Sequence, residues 1–277
     1  MVRTIAGFHS RNELKELRNI MSGEKSVNYR LSTSDEFSVF SLLSSKREIN
    51  STTYYVNEYG IPTPANTLDI TFPSAAITLG IASTSASDTM DIKITGLDSN
   101  YDLLTETVTL TGQTEVNTSS SFLRVNQAEV VGTTSNVGTI YIGGSDNTFT
   151  AGGEPNLNVY RTIGVDPLDS KGIGISTAGT YTVARGFTAC PLNFKINTDA
   201  TDSKPLLVRG IAQPLNRPEL VLGNLVFNGA PEYTFDGFSV VPEKTDLIIR
   251  TAKKTANQVD TAVVFWEWVQ RKNEFIR

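Results

Sequence analysis

Residues 88–130 read DTMDIKITGLDSNYDLLTETVTLTGQTEVNTSSSFLRVNQAEV, and this stretch decides the fold. Ile92 and Ile94 alternate with Asp91, Lys93 and Thr95, so an extended chain here carries apolar side chains on one face and polar ones on the other. Gly96–Tyr101 supplies turn residues, and Thr105–Leu110 resumes the alternation. The stretch is a hairpin followed by a further strand.

The same grammar of short β-rich runs bounded by Gly, Pro, Asn, Asp and Ser extends from about residue 52 to the end. Leu68–Phe72, Ala76–Ile81, Leu192–Ile196, Leu206–Ile211, Leu220–Phe227, Leu247–Thr251 and Ala262–Val269 are examples. Such spacing predicts antiparallel sandwiches. Glycine-bearing stretches at 143–155 and 164–179 interrupt the pattern and place a boundary between two β domains, 51–155 and 156–277. Residues 1–50 lack the pattern. Ser10 stands three positions before Glu13, as in a capping box, and Leu14, Leu17 and Met21 follow at helical spacing, which predicts a helix over about residues 10–22. Phe37, Phe40 and Leu43, spaced by three after Ser34, predict a second. The expected fold is mainly β, with two antiparallel β-sandwich domains and a short, partly helical N-terminal arm at 1–50.

A chain of 277 residues with 39% hydrophobic side chains can bury a sizeable core. Its net charge of −5 argues against a nucleic-acid partner, which would need basic surface to displace phosphate counterions. The charge is uneven: residues 1–30 carry +3 and the rest −8, so a basic arm leads an acidic body. With Cys190 as its one cysteine the chain forms no internal disulfide, and that residue's apolar run, Thr188–Phe194, predicts a small buried hydrophobe. The absence of any long apolar run predicts a soluble protein made in a cytoplasm, without a membrane partner.

Chemical motifs are sparse. His9 is the only histidine, which leaves no second imidazole for a histidine-rich metal site and hangs any Ser-His-Asp triad on one leading residue. Asp98, Asn100 and Asp102 have the alternate spacing that opens a calcium loop, but Leu103 stands where the sharp-turn glycine is needed and Thr109 where the bidentate glutamate is needed. A polar hairpin turn is the better description. Gly172 and Gly174 lack the third glycine and the following helix of a dinucleotide site. The 29 acidic residues leave a two-carboxylate glycosidase open by count, and Tyr54, Tyr55 and Tyr59 could stack on a sugar or pack in a core. No catalytic, cofactor-binding or metal-binding residue is assigned, and the chain is not expected to be an enzyme.

The strings G-L-D-x-x-Y at Gly96–Tyr101, E-T-V-x-L-x-G at Glu106–Gly112 and F-L-R-V-N at Phe122–Asn126 together resemble a module of virion structural proteins of tailed bacteriophages, marine and cyanobacterial ones in particular. Val241–Asp246, reading VPEKTD, resembles the turn into the terminal sandwich half of the same proteins. The resemblance implies a non-enzymatic assembly part of a virion, a homo-oligomer whose partners are other virion proteins of the capsid, neck, tail or baseplate. A tail-borne host-recognition or carbohydrate-binding adhesin is the alternative.

The interface candidates are Leu14 and Leu17 on the amphipathic helix, Phe37 and Phe40 in the apolar cluster before the sandwiches, and Phe265, Trp266 and Trp268 near the end. In Ala262–Val269, Val264, Trp266 and Trp268 share one face, and Val263, Phe265 and Val269 the other, interrupted by Glu267. A strand apolar on both faces needs two covers, one of which is either a loop of the same chain or a neighbouring subunit. Trp266→Ala is expected to lower stability by about 3–5 kcal/mol in chemical denaturation. Phe265→Ala separates the covers, since an internal cover predicts similar destabilisation of the isolated chain and a subunit cover predicts weakened assembly with nearly unchanged stability.

Overall fold

The computed structural model describes residues 37–49, 55–56, 70–156, 159–165, 171–176, 179–198, 205–227, 232–234, 241–254 and 260–272. The predicted helix over about 10–22, with Leu14 and Leu17, lies outside the described residues, as do His9, Tyr54 and Tyr59. Among the described residues strand is the only extended regular structure and no helix occurs, and the named sheets pair antiparallel throughout. The mainly β expectation holds.

Strands β1 (Phe37–Ile49) and β2 (Tyr55–Val56) come first and join sheets completed by the end of the chain. The predicted helix through Phe37, Phe40 and Leu43 is replaced by β1, which pairs with the last strand from Phe37↔Arg271 to Ile49↔Asp260. A spacing of three over so few residues does not distinguish the two periods, and a short helix alone is marginal in water. A long unpaired partner edge supplies a ladder instead. Residues 37–49 therefore belong to a sheet, and a truncation that isolates the leading segment stops at residue 36.

The next seven strands make two facing sheets. β3 (Ile77–Ser83), β6 (Val116–Phe122), β8 (Ile140–Gly144) and β9 (Val159–Ile163) form one in the order β6-β3-β8-β9, while β4 (Asp91–Leu97), β5 (Leu103–Thr109) and β7 (Arg124–Val130) form the other as β5-β4-β7. Leu79, Ile81, Ile140 and Ile142 from the first meet Ile92, Ile94, Val125 and Ala128 from the second in one buried cluster. The alternation of Ile92 and Ile94 thus points into a sandwich core. Glu106 of β5 accepts hydrogen bonds from the N–H of Ser119 (2.7 Å) and of Ser120 (2.8 Å), tying β5 to β6 along one open side. Partial desolvation raises this carboxyl, but the bonds from Ser119 and Ser120 outweigh it and hold the group below the usual carboxylate range.

The second pair of sheets uses β10 (Thr180–Thr182), β11 (Phe187–Thr198), β12 (Leu206–Pro214), β13 (Leu220–Phe227), β14 (Glu232–Thr234), β15 (Thr245–Lys253) and β16 (Asp260–Lys272). Their orders are β1-β16-β11-β14 and β10-β15-β12-β13, with β2 added beside β15. Leu206, Val208, Leu247 and Ile249 bury against Ala189, Tyr181 and Val241 in the second core. The Tyr181 hydroxyl donates to Gln270 of β16 at 2.6 Å, joining the two sheets, and burial drives its pKa well above the ordinary value.

One irregularity directs the first sandwich toward the second. In the β4/β7 ladder Thr95 faces Gln127 and Gly96 faces Val125, leaving Asn126 as the extra residue of a bulge. A Cβ on Gly96 would collide with the carbonyl oxygen of Arg124 and stand 2.9 Å from the Phe122 ring. Gly96→Ala should therefore cost about 1–3 kcal/mol in chemical denaturation, by displacing β7 from β4. Gly152→Ala, where an added Cβ meets nothing nearer than 3.6 Å, should change stability by less than about 0.5 kcal/mol.

Candidate functional site

The bulge turns Asn126 toward the second sandwich. Its Nδ2 donates to the carbonyl of Thr182 and its Oδ1 accepts the N–H of the same residue, both at 2.9 Å, so one side-chain amide pairs with β10 as a strand residue would. Two residues earlier, Arg124 reaches the same place. Its Nε and Nη2 donate to the two oxygens of Asp246, each at 2.9 Å, and its Nη1 to the carbonyls of Leu123 and Pro73 at 2.8 and 3.2 Å. The guanidinium lies 4.7 Å from the centre of the Phe72 ring and 5.7 Å from that of Tyr101. Asp246 also accepts from Thr182 Oγ1 at 2.5 Å. The Arg124 and Asp246 side chains keep only 11% and 9% of their exposure, so this is a nearly buried, bidentate pair with further hydrogen bonds on both partners.

Arg161 of β9 adds a second polar tie. It is 1% exposed and donates to the Thr180 hydroxyl, to the Thr180 carbonyl at 3.0 Å and to the Tyr160 carbonyl at 3.0 Å, while its Nε reaches the Asn126 carbonyl at 3.4 Å. Apolar contacts fill the space around these bonds. Ile70, Tyr141 and Val159 pack on Ile211 and Ile248, and Leu97, Tyr101 and Leu123 pack on Ala184 and Phe187. Burial, with Glu154 adding, pushes the Tyr141 hydroxyl up to about 12.

The turn from β4 to β5 completes the junction. Asp98 Oδ1 accepts the N–H groups of Asn100 and Asp102 at 2.8 and 2.9 Å, and Tyr101 takes a positive φ of 67°. An aromatic residue in that region carries strain of about 1–3 kcal/mol. The surroundings hold it there: the Tyr101 carbonyl accepts the N–H of Arg185 at 2.8 Å, and the Lys244 ammonium lies 5.8 Å from its ring. Lys244 itself has φ 58° and donates its N–H to the Val183 carbonyl at 2.7 Å. Desolvation raises the Tyr101 hydroxyl, with Arg124 opposing and Asp246 adding.

Gly96–Tyr101, Phe122–Asn126 and Val241–Asp246, three strings that stand out in the sequence, thus meet at one buried joint. Arg124 and Asp246 are 122 positions apart. Chemically the arrangement is a lock, because each polar group named here is directed at another part of the chain. Asp98 holds its own turn, and Asp102 pairs with Arg185 through contacts of 2.7 and 2.5 Å at the rim. Among the described residues no group of three or more His, Cys, Asp or Glu is placed to hold a metal ion, and no helix is long and apolar enough to cross a membrane.

The structure places the other candidates on strands. Phe37 and Phe40 lie in β1, with Phe40 opposite Trp268 of β16. Phe265, Trp266 and Trp268 lie in β16, which has β1 on one side and β11 on the other; Trp266 is in register with both Leu42 and Phe194. Arg124, Asn126, Arg161 and Asp246 are not among the candidates that the sequence suggests. The available signal is a charge set within apolar neighbours, Arg124 between Leu123 and Val125 and Asp246 before Leu247–Ile249.

No protein-family model and no curated protein matches the chain. Among solved structures it is similar to the VP2 subviral particle of infectious bursal disease virus at 8% identity and TM-score 0.20, covering 87% of this chain and 72% of that one. The Gx strain of the same virus gives 10% identity and the same TM-score, with 86% and 71% covered. These scores are too low for a shared fold and carry no argument about function.

Removing one partner of the buried pair should be costly and removing both less so. Asp246→Ala leaves Arg124 buried without its carboxylate and should lower stability by about 3–5 kcal/mol in urea denaturation. The double variant Arg124→Leu/Asp246→Leu should recover part of that loss.

Proposed function

We propose that the chain is a non-enzymatic structural component of a tailed-phage virion, binding neighbouring capsid, neck, tail or baseplate subunits and acting as a homo-oligomer. The observation that carries this reading is the joint itself: three of the four strings that resemble phage virion proteins, Gly96–Tyr101, Phe122–Asn126 and Val241–Asp246, come together where one sandwich is clamped to the other. A pair of sandwiches held by buried bidentate bonds is suited to bearing fixed contacts rather than to closing on a substrate.

The exposed apolar side chains among the described residues support subunit contact. Among the described residues the large exposed apolar side chains are aliphatic, namely Leu103, Val131, Val137, Leu215, Leu220, Val221 and Val226. Tyr101, Tyr141, Tyr160 and Tyr181 are buried. A carbohydrate-binding adhesin would use exposed aromatic rings for stacking.

Quantitative mass spectrometry of purified particles of the encoding phage should recover the chain in multiple copies, and cryo-electron microscopy should place it in contact with other virion proteins. Absence from particles would overturn the proposal. So would release of product from host polysaccharide or peptidoglycan by the purified protein, if a single Asp or Glu substitution abolished it.

A further inference from the structure

We infer that β13 is a self-pairing edge, along which a second copy of this chain adds its own β13 antiparallel and continues the sheet. The inference deepens the assembly reading and rests on it. Strand β13 pairs with β12 on one side and ends its sheet on the other among the described residues. Leu220, Val221 and Val226 on it are 54%, 49% and 58% exposed, and Leu215, just before it, is 44% exposed. Leu225 alone among its described apolar side chains packs partly on the second core.

Sheet edges normally carry a device that stops a second strand from adding. The other edges have one. β5 bears Glu106 and three threonines among its seven residues, β6 is mostly Asn, Thr and Ser, β2 has two residues and β10 and β14 three each, β7 is covered by residues 174–176 through the N–H of Val130 to the Gly174 carbonyl and the N–H of Ser176 to the Ala128 carbonyl, β9 is buried throughout, and β1 contains Lys46, Arg47 and Glu48. β13 reads LVLGNLVF, eight residues without charge or proline, and its one irregularity is a bulge that leaves Leu222 without a partner on β12.

The occupant follows from the sequence of the strand and the charge of the chain. Antiparallel self-pairing sets the beginning of one copy against the end of the other, so Leu220 and Val221 meet Val226 and Phe227 of the second copy's strand, and the small Gly223–Asn224 centre meets itself. Apolar residues face apolar residues at both ends. In a chain of net charge −5, two copies approach with least repulsion along an uncharged strip. Glu219, next to the strand, is 3.9 Å from Arg250 of the same chain, and the pairing keeps the two copies of this carboxylate at opposite ends of the new ladder. One strand pair is smaller than the roughly 1,600 Å² of a standard interface, so the free dimer is weak. Repetition in a particle supplies the remainder.

The test is sedimentation of the full chain from about 1 µM to about 1 mM, the span of weak affinities, combined with amide exchange at low and high concentration. The expected results are concentration-dependent dimers, added protection at 220–227 and none at 103–109, and at least tenfold weaker dimerisation for Val221→Lys and Val226→Lys. Val131→Lys, an exposed valine away from the edge, should leave dimerisation unchanged. A monomer throughout the range, protection that maps elsewhere, or dimers indifferent to both edge lysines would overturn the inference. A monomeric protein that is nevertheless present in particles would sink the edge assignment alone, whereas a self-pairing protein absent from particles would sink the assembly reading.

Discussion

A guanidinium and a carboxylate removed from water together hold the two halves of this protein to one geometry. Separating Arg124 from Asp246 would leave each charge desolvated without a partner, and that penalty is far larger than the modest net value of the formed pair. The bidentate arrangement fixes angle as well as distance. Everything at the junction is arranged around it: Phe72 and Tyr101 lie against the guanidinium, Thr182 adds a third bond to the carboxylate, and Asn126 anchors the neighbouring backbone.

The apolar contacts at the same junction could not do this alone. Ile70, Val159, Ile211 and Ile248 supply burial, which is strong and without direction. Two sandwiches joined only by such a patch could rotate or slide with little penalty. The polar ties of Arg124, Asn126 and Arg161 have defined partners, and a slip of one residue would leave several buried donors unsatisfied at once. Burial thus supplies the attraction and the hydrogen bonds choose the pose.

A rigid body changes the demands on its surface. Contacts with neighbours need not order the two sandwiches relative to each other, so weak edges become usable when they recur. The contrast between β13 and the charged or short edges elsewhere is informative for that reason, since among the described residues the other edges are shielded while Leu220, Val221 and Val226 on β13 are exposed.

The mainly β fold was legible in the sequence because strand alternation is local. Ile92 and Ile94 point inward from their own neighbours' spacing, and Gly96–Tyr101 turns the chain with its own backbone preferences and the Asp98 side chain. Phe37, Phe40 and Leu43 mislead because a spacing of three in a short run fits two periods, and the choice is made by β16, more than two hundred residues away. The junction lies beyond local reading for a stronger reason. Arg124 and Asp246 each look like a charge at the start of a strand, and neither carries information about the other. Local spacing was enough for the strands and turns of residues 91–109, whose alternation and turn residues lie a few positions apart; the fold alone made β1 a strand, through its pairing with β16, and placed the one-residue bulge at Asn126 that brings the two charges together, because burial makes an ion pair obligatory only once the surrounding water has been excluded.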